Sequence, residues 1–173
     1  GASIIHLIED LPKQGSLPIN ALLAVGSVHQ RLVKLGLRSD ANIIVTTSSA
    51  RDTHQIACLI GFGATAVYPT LAYQTILDLT DRNELKGDAH ENCSRYRKGI
   101  NRGLLKIISK MGISTISSYR GSQLFEIVGL DKDVVDLCFT NTESRIKGKK
   151  FKDLDLELRS LNEYARSNIA DMK

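Results

Sequence analysis

Three stretches of this 173-residue sequence put polar side chains where a folded chain could use them. Ser48, Ser49 and Arg51 follow an apolar run and precede a helical pattern, which is where a helix amino terminus holds an anion. The same residues read more simply as a helix cap beside a surface arginine. Ser117-Ser118-Tyr119-Arg120-Gly121 forms a polar turn at the carboxyl end of an expected strand, the usual ligand position in α/β proteins. Lys98, Arg102, Lys106 and Lys110 share one helical face at four-residue spacing, with Arg95 and Arg97 nearby and no acidic residue among them. That stripe is either the solvated side of a helix or a docking face for an acidic partner or domain.

Other chemistries are poorly supplied. His29 and His54 are read as lacking a carboxylate or cysteine at ligand spacing, so no metal is expected on them. His6 lies inside an apolar run and is expected as a hydrogen-bonded core histidine. Gly61-Phe62-Gly63 follows a helix and precedes a strand, and lacks the third glycine of a dinucleotide fingerprint, so these are turn glycines. Cys58, Cys93 and Cys138 are far apart with no CxxC pair, which indicates neither a zinc site nor a disulfide framework and fits a reducing compartment.

The elements that must position these residues read as alternating strands and helices. Ser3 to Ile8 has the pattern of a strand buried on both faces. Pro12 and Gly15 mark a loop, and Pro18 suits the first turn of a helix with Ile19, Leu22, Leu23, Val25, Val28, Leu32 and Leu35 inward, ended by Gly36. Gly26, in mid-helix, costs about 1 kcal/mol against alanine, so close approach of a neighbouring backbone is its expected reason. Asn42–Thr47 is the second strand. Ser49 is expected to cap the next helix, with Asp52 in capping-box position and Ala50, Thr53, Ala57 and Ile60 inward. Gly61 ends that helix and Ala64–Tyr68 forms a third strand. This order means parallel βα units with right-handed crossovers.

Further on, Leu71–Leu79 is a short helix after Pro69. Tyr96, Ile100, Leu104, Ile107, Ile108 and Met111 mark a helix closed by Gly112. Ile113–Ser118 reads as a strand, and Leu124, Phe125 and Val128 as a helical stripe closed by Gly129. Asp131 to Phe139 suits either a capped short helix or a strand, and the acidic first turn favours helix. Phe139–Gly148 reads as a loop. From Lys152, the spacing of Leu154, Leu158, Leu161, Tyr164 and Ala165 predicts a closing amphipathic helix.

With 42% hydrophobic and 24% charged residues, the chain can bury a core. No apolar run approaches the roughly 20 residues of a bilayer span, and Ser3–Ile8 is too short for a signal peptide. Net charge is +4, but aromatics are only 5% and tryptophan is absent, so a stacking nucleic-acid surface is not expected. Neither nucleic acid nor membrane is expected as a partner. Thr80–Asn92 is polar and aperiodic, the best boundary in the chain, dividing it into 1–85 and 86–173.

Ser109-Lys110-Met111-Gly112-Ile113-Ser114-Thr115, with Ser118-Tyr119-Arg120-Gly121 and Phe125-Glu126, resembles the opening of the flavin domain of the glutamate synthase family. The resemblance continues through Phe139-Thr140-Asn141-Thr142 and Ser144-Arg145-Ile146. Leu17-Pro18, Ala21 to His29 and Gly61-Phe62-Gly63-Ala64 resemble that family's central domain. Glycine is usual in the family where Asn141 stands, and asparagine is the next best residue for positive φ.

The resemblance implies an α/β chain: the C-terminal part of a central domain in 1–85, and the start of an FMN-binding (β/α)8 synthase domain in 86–173. It implies an oxidoreductase that makes L-glutamate from 2-oxoglutarate and ammonia released from glutamine by a separate amidotransferase domain. FMN and a 3Fe–4S cluster would be fed by ferredoxin or an NAD(P)H-linked subunit, in a bacterial cytoplasm or a plastid stroma. Much of this is missing here: no amino-terminal cysteine, no closely spaced cysteine trio and no room after Gly148 for a barrel. The segment is therefore expected to be structural, without catalytic residues or bound cofactor when alone. Ser109, Lys110, Met111, Arg120 and Arg145 are the cofactor-side residues the resemblance suggests, with Tyr119, Gln123 and Ser144 beside them. A lysine before Gly112 could balance a flavin or substrate anion. Each is equally a cap, a turn or a domain-contact salt bridge. A non-enzymatic α/β interaction module and another FMN-dependent oxidoreductase are the rival readings.

Overall fold

The computed structural model describes residues 3–9 and 16–171, so the loop expected at Pro12 and Gly15 lies outside the described residues. Along the chain come β1 (Ile4–Ile8), α1 (Ala21–Lys34), a 3-10 turn (Arg38–Asp40), β2 (Asn42–Thr47), α2 (Thr53–Gly61), β3 (Ala66–Pro69) and α3 (Thr70–Asp81). There follow α4 (Ala89–Lys110), α5 (Ile116–Tyr119), β4 (Glu126–Leu130), α6 (Lys132–Cys138), β5 (Glu143–Lys149) and α7 (Phe151–Asp171). β1, β2 and β3 form one parallel sheet with β2 in the middle, and β4 pairs in parallel with β5. The expected parallel α/β character holds.

β2 sits where its sequence sends it. Ile43 and Val45 are buried, because a central strand with helices against it must be apolar on its covered face. β1 differs from expectation. It is the sheet's edge among the described residues, and Ile4 and Ile8 stay 59% exposed. His6 is exposed as well; its Nε2 meets Thr46 Oγ1 at 2.8 Å, so it is hydrogen-bonded but not in the core.

Several boundaries move for local reasons. α1 starts at Ala21, not at Pro18, because Asn20 caps it by accepting from Leu22 N–H at 2.9 Å. α2 is capped by Asp52 rather than Ser49: Asp52 accepts from Gln55 N–H at 2.8 Å and Gln55 answers at Asp52 N–H. Ile113–Ser118 is not a strand. Thr115 accepts from Ser118 N–H and starts the short helix α5 instead. The stripe Leu124–Val128 is not helical either; Gly121 and Gln123 take positive φ and the chain emerges extended into β4. Residues expected as a loop after Phe139 contain β5. α6 is a helix capped by Asp131, and Asn141 has φ +66, as expected.

Gly26 meets its neighbour as anticipated. A Cβ there would lie 2.2 Å from the Cys138 carbonyl oxygen, so α1 and α6 touch backbone to backbone. Two buried clusters result, one around Val25, Ile43, Val45 and Ile56, the other around Val134, Val135, Cys138 and Phe139. A run of rings joins them: Tyr119 to Phe125 (6.3 Å), Phe125 to Phe62 (5.2 Å) and Phe62 to Phe139 (4.8 Å). Of the polar 80–92 stretch only 82–88 is a connection, across which Asn92 of α4 donates to Thr80 Oγ1 of α3 at 3.0 Å, and α4 packs along α3 and α2. In α4, Gly99 has open space around it. Gly99→Ala should therefore raise stability by up to about 1 kcal/mol, read as a higher midpoint of chemical unfolding.

Candidate functional site

The carboxyl edge of the three-stranded sheet has the form of an anion seat, and the chain fills it itself. Glu9 Oε2 accepts from Ser48 N–H (2.7 Å), Glu9 Oε1 accepts from the Ser48 hydroxyl (2.6 Å), and the Thr47 hydroxyl also donates to the carboxylate. Burial alone would raise the Glu9 pKa. The Ser48 and Thr47 hydrogen bonds outweigh it and hold the carboxyl below its usual range. Arg51 stands outside, exposed, its carbonyl accepting from Tyr96 Oη at 2.8 Å. Ser48 and Ser49 are thus neither a helix cap nor a free phosphate seat.

A second place gathers more of the singled-out residues. A cleft of about 190 Å³ opens between α1, the 61–63 turn, the 121–125 segment and the 140–142 turn, lined by His29, Phe62, Gln123, Phe125 and Asn141 among others. Glycines shape it. A Cβ on Gly61 would sit 2.5 Å from the Phe125 ring, and one on Gly63 would sit 2.7 Å from the His29 side chain. Gly63 also has φ +131, so the turn reading of Gly61-Phe62-Gly63 stands.

Arg38 ties this region together, and nothing in its sequence surroundings announces it. Its Nε donates to His29 Nδ1 at 2.9 Å, and its two terminal nitrogens donate to the carbonyls of Ala41 and Gly63. His29 Nδ1 is therefore the acceptor, which requires a neutral imidazole protonated at Nε2. Burial, then Arg38, then Arg120 push its pKa down to about 4. Tyr119 is buried beside this region, and burial followed by Cys58 raises its phenol pKa.

The remaining predicted residues lie elsewhere. Ser109, Lys110 and Met111 end α4 with exposed side chains, Met111 capping it through its N–H. Arg145, on β5, is exposed and pairs with Glu143 at 2.8 Å and Glu126 at 3.6 Å. Ser144 stands opposite Ile127 in the β4–β5 ladder. α4 packs on α2 and α3, whereas β5 packs on β4, α6 and α7. Ser109, Lys110 and Met111 thus stand on a different element from Arg145. Cys58, Cys93 and Cys138 stand on α2, α4 and α6. Among the described residues no group of three or more His, Cys, Asp or Glu is placed to hold a metal ion. One sequence reading fails: His54 does have a cysteine at helical spacing, with Cys58 Sγ 3.6 Å from its Nε2. Burial, followed by Asp52, raises the Cys58 pKa, which disfavours a thiolate there.

The family model described as the glutamate synthase central domain matches residues 1–131. The chain is 44% identical over 148 residues to the glutamate synthase [NADPH] large chain of Bacillus subtilis, covering 86% of this chain and 10% of that one. It is 45% identical over 156 residues to ferredoxin-dependent glutamate synthase 1, chloroplastic/mitochondrial, of Arabidopsis thaliana, covering 84% and 10%. With the glutamate synthase [NADH] of Saccharomyces cerevisiae it shares 36% identity over 171 residues, covering 94% and 8%. The chain thus spans about a tenth of the length of these relatives. A family model matching 131 of 173 residues, together with relatives this similar along most of the sequence, shows that the chain belongs to the glutamate synthase family.

Proposed function

We propose that this chain is a structural segment of a glutamate synthase large chain, an oxidoreductase that forms L-glutamate from 2-oxoglutarate and glutamine-derived ammonia. The observation that carries this is the central-domain match over residues 1–131. In the intact protein FMN, supplied through a 3Fe–4S cluster by ferredoxin or an NAD(P)H-linked subunit, provides the reducing equivalents. Most of the groups that hold these cofactors belong to other parts of the polypeptide, and this segment contributes mainly shape. Bacterial cytoplasm or plastid stroma suits such an enzyme. The 173-residue polypeptide, purified alone, is expected to be colourless and inactive on 2-oxoglutarate. Yellow protein with flavin absorbance, or turnover by the polypeptide alone, would overturn this reading.

Within the same proposal, residues 1–85 end the central domain and 86–173 begin the FMN-binding (β/α)8 domain. Limited proteolysis of the intact enzyme should then cut first in the connection at 82–88. A first cut near residue 131 that spares 82–88 counts against that division. Ser109, Lys110, Met111, Arg120 and Arg145 are proposed as the cofactor-side residues of this segment in the intact enzyme. Lys110 is exposed at a helix end, which supports its part. Lys110→Ala should lower FMN content or 2-oxoglutarate turnover in the intact enzyme; if neither moves, Lys110 has no such role.

A further inference from the structure

Among the described residues Arg120 has no counterion. Its Nε is sealed from solvent and has no hydrogen-bond partner among the described residues. A charged donor in that condition is rare in a native fold, because both desolvation and the missing partner oppose it. The neighbourhood adds to the imbalance. Gly121 N–H donates to the Gly61 carbonyl at 2.8 Å, which draws the Arg120 loop onto the 61–63 turn. Arg38 holds the other side of that turn through the Gly63 carbonyl at 2.8 Å, and the His29 ring covers Gly63. Two guanidiniums and an imidazole are therefore collected at one turn, and the charge of Arg120 is felt at both Arg38 and His29. Among the described residues no ion pair reaches any of the three. Arg38 spends its three donor nitrogens on His29, Ala41 and Gly63, so it contributes charge, while Arg120 keeps its donors.

We propose that Arg120, backed by Arg38 and His29, binds one oxyanion, a carboxylate or a phosphate, beside the cleft that His29 and Gln123 line. A planar guanidinium fork suits either acceptor. The anion has two possible sources: an Asp or Glu side chain from the rest of the polypeptide, or a small free oxyanion. The inference stands whether or not the cofactor-side reading of Arg120 is right.

Arg120→Met in the intact protein separates these cases, since methionine keeps much of the stem and removes the charge. Midpoints of thermal unfolding are compared in chloride buffer and after adding millimolar inorganic phosphate or succinate. A wild-type midpoint that rises by several degrees with either anion, and does not rise in Arg120→Met, identifies a free oxyanion. A midpoint lowered by Arg120→Met, without an anion response that depends on Arg120, identifies a carboxylate of the polypeptide. A midpoint equal to or above wild type, without such a response, overturns the proposal, because deleting an unpaired cation beside Arg38 relieves repulsion. Should Arg120→Met fail to accumulate, Arg120→Gln, which also removes the charge, is judged by the same three outcomes.

Discussion

Gly26→Ala is expected to cost roughly 1–2 kcal/mol of stability and to part α1 from α6. The new Cβ would stand 2.2 Å from the Cys138 carbonyl oxygen and 3.1 Å from its carbon, both backbone atoms that no rotamer change can move. Relief requires the helices to separate by an ångström or so, and the residues around the contact are the least able to follow. Val25 and Val134 are fully buried, and Cys138 nearly so. Overpacking of this kind costs roughly 1–3 kcal/mol or more, against a gain of about 1 kcal/mol from replacing glycine in a helix. The same substitution at Gly99 meets nothing and keeps the gain. Chemical unfolding of the two variants should therefore move in opposite directions, and a Gly26→Ala chain as stable as the parent would refute the close contact.

Acid should destabilise the fold in two separate windows. His29 is held neutral in the folded state, with its pKa lowered from 6.5 to about 4 by burial, Arg38 and Arg120. Between those values the unfolded chain binds a proton that the folded chain refuses, so stability falls as pH drops from 6.5 toward 4 and levels off below. At 1.36 kcal/mol per unit, discounted for a half-buried site, this loss is about 1–2 kcal/mol. Glu9 acts lower. Its carboxyl pKa is depressed, so the stability it adds is fully present above 4.5 and disappears as pH falls through its folded value. In His29→Gln, glutamine can still accept from Arg38 but does not titrate. The stability difference between wild type and this variant should be flat above pH 7 and shrink between 6.5 and 4. A constant difference across that window would show that His29 is not held neutral.

How much of this was readable beforehand depends on how local each cause is. β2 is legible to the residue because Ile43–Thr47 is an unbroken β-branched run, with Ile43, Val45 and Thr47 on the buried face. Asp131 announced α6, and Gly26 announced a close neighbour because a mid-helix glycine needs a reason. β5 was not legible: Glu143–Lys149 is mostly exposed and polar, and it is a strand only because β4 lies beside it. Leu124–Val128 is too short an apolar run for its period to separate helix from strand. The cleft fared likewise. Arg120 and Gln123 could be picked out in a polar turn, but Arg38 gains its place from contacts with His29 and Gly63, which no spacing reveals. Glu9 is illegible in sequence for the same reason, since Ser48 is distant from it along the chain.

Glu9 also answers a problem posed by its own strand. Ile5 and Leu7 are only half-buried, so β1 has little contrast between its sides to fix where it lies along β2. Sliding it by one residue would carry the carboxylate about 3.3 Å from Ser48 and turn it to the opposite side of the sheet. The carboxylate thus works as a peg, letting the first strand dock in one position only.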